Sequence, residues 1–126
     1  MNSKSKIVLA VVAGAALGAA TVHGLHAQAK PKAYIVTESE IIDAAAAASF
    51  GPKTQAAQKA AGGRSFRTTG KVTAVVGTAP QRVGLSEWDN IYQVQAWLKS
   101  DARKQLEPER TKAIKIIRQY VVEAAN

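Results

Sequence analysis

The chain has 126 residues, 17 Lys and Arg against 9 Asp and Glu, a net charge of +8 and no cysteine. That length allows one domain, and the absence of cysteine excludes both a disulfide framework and thiolate catalysis. The basic residues are scattered, with no block of five like charges, so they read as a solvated basic surface and argue against a nucleic-acid partner.

The chain opens with Lys4 and Lys6, then the uncharged run IVLAVVAGAALGAATV over residues 7–22, then HGLHAQAK. A positive start, an apolar middle and a small-x-small site make a secretory signal. The expected organisation is therefore a signal peptide over residues 1–29 and a single domain over 30–126, with cleavage after Ala29 or after Ala27. Export to the periplasm or beyond follows. The alternative is an uncleaved N-terminal anchor, which would bring in the membrane as a partner, but the run is shorter than the about 20 apolar residues of a spanning helix. Removing the signal takes Lys4 and Lys6 with it and lowers the net charge to +6. It also removes His23 and His26, the two histidines of the chain. A domain without His or Cys has none of the usual zinc, copper or haem ligands and no histidine-dependent triad, so no metal or cofactor is expected.

AYIVTES, residues 33–39, favours a strand, with Tyr34, Val36 and Glu38 on one face and Ala33, Ile35 and Thr37 on the other. Asp43 then stands before five alanines as a helix N-cap. Gly51-Pro52 predicts a kink or two short helices, and Gly62-Gly63 a stop with one positive φ. RSFRTT, KVTAVVG and RVGLSEW read as three extended runs separated by Gly70 and GTAPQ, giving two strands, or one bent strand, in a hairpin before the last run. AAGGRSFRTTGK is not a phosphate loop. Gly63 and Gly70 have the wrong spacing, the glycines end a helix instead of opening one, and Lys71 is followed by Val72 where a hydroxyl is required.

Ile91, Val94 and Leu98 form a helical apolar stripe with Trp97 beside it, capped by Asp89 or Asn90. Ser100-Asp101 offers a second start, for a short helix reaching Leu106 or Thr111. IKIIRQYVVEA closes the chain as a strand, its alternation placing Ile116, Arg118, Tyr120 and Val122 on one face. The order is near the ferredoxin-like βαββαβ plan: an α+β fold, an antiparallel sheet with two helical segments on one face.

KAYIV, AAGGR, GKV, APQRVGLSEW, QAWLKS, Leu106, Arg110 and the closing VVEA occur in an order that resembles domain-of-unknown-function family 1330, across nearly all of residues 32 to 124. What the resemblance implies is a dimeric α+β barrel, two sheets packed face to face, in a superfamily that includes cofactor-free monooxygenases, haem-degrading enzymes and stress-response proteins. Pockets there lie between sheet and helices. The chain departs from the family pattern in its alanine-rich first helix with a single Phe50, and at Thr68, Val76 and Leu98, where relatives carry Arg, an acidic residue and Tyr. A pocket built on those groups is altered here.

The candidate pocket residues are Tyr34, Glu38, Arg64, Trp88, Trp97 and Tyr120. Each also has a plain structural use: the aromatics as core or dimer contacts, Arg64 as a partner for Glu38, Arg67 as a solvated side chain. Glu38 and Glu123, on strands expected to be close, would form an acid–base pair if burial raised one pKa. Three readings follow. The first is a homodimeric module holding a small anionic or aromatic ligand. The second is a cofactor-free enzyme of monooxygenase or isomerase type, using Tyr34, Arg64 and a carboxylate. The third is a purely structural dimer. A filled core would favour the last, and a buried Glu38 or Arg64 facing a cavity the second.

Overall fold

A computed structural model describes residues 30–125; the predicted signal segment lies outside them. The elements run β1 (Ala33–Ile41), α1 (Ala44–Ala60), β2 (Arg64–Ser65), β3 (Arg82–Trp88), α2 (Ile91–Lys99), α3 (Asp101–Ala113) and β4 (Ile114–Glu123). The sheet order is β2-β3-β1-β4 with every pairing antiparallel, as the ferredoxin-like plan requires. The second helical segment divides at Ser100, where the sequence offered a second start, so three helices lie over the sheet.

Local chemistry sets the helix ends. Asp43 Oδ1 accepts from the Ala46 amide at 3.0 Å, Asn90 Oδ1 from Gln93 at 3.1 Å, and Ser100 Oγ from Arg103 at 3.2 Å. After α1, Gly62 takes φ +98°; its amide reaches Lys59 O and that of Gly63 reaches Gln58 O, a Schellman closure. Of the kink or two short helices expected at Gly51-Pro52, the division into two does not occur, and α1 runs unbroken through Pro52. Pro52 and Ala48, whose carbonyl loses its intrahelical partner, are both exposed, so water can satisfy that carbonyl. Pro108 sits the same way in α3 over exposed Lys104, and the helix continues to Ala113, past both predicted ends.

KVTAVVG forms no strand. Between Gly70 (φ +79°) and Gly77 (φ +75°) the segment has no strand beside it, and Val75 and Val76 are 95% and 93% exposed. Strand propensity without a partner edge does not make a strand. In β4 the register shifts between Arg118, opposite Glu38, and Ile116, opposite Ser39, leaving Ile117 as the extra residue of a bulge. Ile116 therefore turns to the helix side, away from Arg118, Tyr120 and Val122, which correct alternation had grouped with it.

The core lies between sheet and helices in two clusters. Ala33, Ile35, Trp88, Val94 and Trp97 form one, with the tryptophan rings stacked at 5.9 Å. Phe50, Ala113 and Ile114 form the other, and Leu106 packs against both.

Candidate functional site

Successive cross-strand rows on the helix face change character along the sheet. Ala33 stands opposite Trp88, and Ile35 lies between Ser86 and Val121. Then Thr37 lies between Gly84 and Gln119, and Ser39 between Arg82 and Ile116. The first rows supply core; the next two supply hydroxyls, an amide, a guanidinium and a bare glycine. Ile116 is the one large apolar side chain in those two rows, and α1 above them buries only Phe50, its other apolar residues being alanines. The result is a cavity of about 600 Å³ between the two core clusters, within the range of small-molecule sites.

Its floor is Thr37, Ser39, Gly84 and Gln119, its walls Phe50, Thr54 and Gln58 of α1 and Arg103, Leu106 and Arg110 of α3. Exposed Arg67 to Gly70 line its rim. The charged lining is Arg67, Arg82, Arg103 and Arg110 against Glu107 alone. Arg110 Nε donates to Glu107 at 2.9 Å; that contact holds the Glu107 carboxyl below its ordinary range, against partial burial, and raises Arg110. Arg103 donates to the Leu98 carbonyl and to Gln119 Oε1, both at 3.3 Å, while Gln119 Nε2 donates to Thr37 at 2.9 Å.

The opposite face of the sheet is open. Tyr34 and Val36 of β1, Val83 and Leu85 of β3, and Tyr120 and Val122 of β4 share it by register, and Phe66 joins them, stacked on Tyr34 at 6.5 Å. Leu85, Phe66, Tyr120 and Val122 are exposed. Ion pairs bound this apolar band. At one end Glu87 takes Lys32 at 2.9 Å and Arg64 as well. At the other, Arg118 grips Glu38 through two bonds of 2.8 and 2.7 Å. The guanidinium holds the Glu38 carboxyl below its ordinary value, opposed by burial and aided by the Tyr120 hydroxyl.

The six sequence candidates are thus divided. Tyr34, Glu38, Arg64 and Tyr120 lie on the open face; Trp88 is core at 1% exposure, and Trp97 is core and also lines the cavity. Arg64 meets Glu87, and the expected Arg64–Glu38 pair is replaced by Arg118–Glu38. Glu123 pairs with Ala33, the far end of β1 from Glu38 and on the other face, so the two carboxylates form no pair. Glu38 is buried, but toward the open face and bonded to Arg118, away from the cavity. Arg82, Arg103 and Arg110 were missed because no motif gathers them. The available signal was the turn from apolar to polar along one face of β1 and β3: Ala33, Ile35, Thr37, Ser39 against Trp88, Ser86, Gly84, Arg82.

An antiparallel four-stranded sheet with helices on one face and a cavity between the layers defines a ferredoxin-like α+β domain. The chain belongs to the family described as Domain of unknown function (DUF1330), which it matches over residues 32–125. It is similar to the crystal structure of RPA0582, a protein of unknown function from Rhodopseudomonas palustris, with TM-score 0.62 and 10% identity over 84% of this chain and 92% of that one. A crystal structure of methylated RPA0582 gives TM-score 0.61 at 10% identity over 84% and 90% of the two chains. At that identity the likeness speaks for the fold alone. No curated protein matches the chain.

Proposed function

We propose that residues 30–126 act, after export, as a homodimeric small-ligand-binding module, with two open sheet faces packed together as a dimeric α+β barrel and one ligand in each protomer's cavity. One observation carries this reading: the sheet's polarity is inverted. The face toward solvent is apolar over Tyr34, Val36, Leu85, Tyr120 and Val122, while the face toward the helices turns polar over Thr37, Ser39, Gly84 and Gln119. An apolar open sheet calls for a cover, and a second copy offers an identical face. A polar, open inner face calls for a ligand. The core is not filled, which speaks against a purely structural dimer. The enzyme reading needs Tyr34, Arg64 and a carboxylate at one cavity, and Tyr34 and Arg64 lie on the other side of the sheet.

Native mass spectrometry of the protein expressed with its own N-terminus tests the proposal. The expected species has twice the mass of the 30–126 chain, with any further mass belonging to a ligand. Leu85→Asp, which puts a charge in the centre of the open face, should yield a folded monomer. An unprocessed, ligand-free monomer overturns the reading.

A further inference from the structure

We infer that the cavity takes a small carboxylate-bearing molecule with an apolar or aromatic body, its carboxylate held by Arg82 and Arg67 and its body against Leu106, Phe50 and Trp97. This rests on the ligand-binding reading above and adds the chemical class and the orientation.

Charge is the first argument. Four arginines face one glutamate in the lining, and they are not equivalent. Arg110 is bonded to Glu107, and Arg103 to Gln119 and the Leu98 carbonyl. The side chains of Arg67 and Arg82 have no hydrogen bond or ion pair among the described residues. Arg82 is half-buried and lines the cavity beside Gly84 with no protein acceptor for its guanidinium among the described residues. An anion supplies that acceptor, and a planar carboxylate matches the guanidinium fork through two parallel bonds.

Shape is the second. Arg82 stands opposite Ser39, and the next row puts Gly84 opposite Thr37. A Cβ built on Gly84 would come no closer than 3.8 Å to the Thr37 side chain, so the floor beside Arg82 is left open by the missing side chain. Beyond it the lining is apolar from both sides: Ile35 and Trp97 from one core cluster, Phe50 and Ile116 from the other, with Leu106 between. A bare inorganic anion would leave those surfaces wet. Among the described lining residues only Arg103 belongs to the first turn of a helix, and its amide is already taken by Ser100 Oγ, so the cavity offers no run of free helix N-terminal amides of the kind phosphate favours.

Titration of isotope-labelled protein, read on backbone amides and arginine Nε–H signals, tests this with benzoate, phenylacetate and octanoate as probes. Phenylacetamide, phenethylamine, acetate and inorganic phosphate serve as comparators. The best carboxylate should bind at least about tenfold more tightly than phenylacetamide and than acetate, shifting Arg82. Arg82→Gln should weaken it about tenfold or more, Gly84→Leu should abolish it by filling the floor, and Lys59→Gln, on the exposed side of α1, should leave it unchanged. Equal binding of phenylacetamide, or an unchanged affinity in Arg82→Gln, overturns the anion assignment; phosphate binding more tightly than every carboxylate overturns the apolar body. If native mass spectrometry finds a bound neutral or cationic molecule, this inference fails and the ligand-binding reading stands. If no carboxylate probe binds and no co-purified mass is found, both fail.

Discussion

Gly63 carries a single hydrogen at a position where any other residue would collide with the core. A Cβ there would lie 2.5 Å from Trp88 Cζ2 and 2.7 Å from two neighbouring ring atoms. The ring has no room to yield: Trp88 is fully buried, stacked on Trp97 and tied through Nε1 to Ser86 Oγ at 2.9 Å. Gly63→Ala should therefore destabilise the domain by about 1–3 kcal/mol, the usual cost of overpacking. Urea unfolding followed by tryptophan fluorescence would show the midpoint falling with the slope unchanged; a midpoint equal to wild type would rule out the clash. The two glycines of AAGGR were legible as a helix stop, and Gly62 fills that role. The use of Gly63 was not, because it depends on a tryptophan that only the β2–β3 pairing brings beneath it.

Elements were legible wherever their signals were local. The caps Asp43, Asn90 and Ser100 are side-chain chemistry within one turn, and β1 alternates as read. The failures lie where the surroundings of an element decide. Pro52 breaks no helix because its turn faces water, KVTAVVG has no edge to join, and the Ile117 bulge changes no residue type along β4 while moving Ile116 to the other face. The cavity was illegible for the same reason: its arginines come from the loop after β2, from β3 and from α3, and only the sheet register and the packing of α3 bring them together. α1 shows what loose packing leaves available. Gly51 lies inside this helix with nothing within 4 Å of the place its Cβ would occupy and no positive φ. Gly51→Ala should raise stability by about 1 kcal/mol through helix propensity alone. The check is a rise in the urea midpoint, and a fall would mean that α1 needs flexibility at Gly51-Pro52.

At the scale of the whole molecule, the ion pairs at the ends of the open face decide how a dimer would respond to acid. Glu38 faces Arg118 and Tyr120 of β4 and lies opposite Val83 of β3, so its charged neighbour is the guanidinium. Its folded pKa is depressed below 4.5, so the stabilisation it contributes is present above that value and is lost as pH falls through the depressed one. Protonation would leave the Arg118 charge facing a packed sheet without its partner, a costly arrangement in an interface. The proposed dimer should accordingly hold at neutral pH and dissociate at increasing protein concentrations as pH drops below about 4.5. Sedimentation from about pH 7 to about pH 3.5 would follow it, with circular dichroism confirming that the protomer stays folded. Glu107 is also depressed by its arginine, but it lies in α3 on the helix side, so its protonation should lower the protomer's resistance to urea and leave association alone. Glu38→Gln separates the two. It should weaken the dimer at neutral pH and flatten the acid dependence of association, and a variant that dissociates along the wild-type pH curve would show that Glu38 is not the group that acid acts upon.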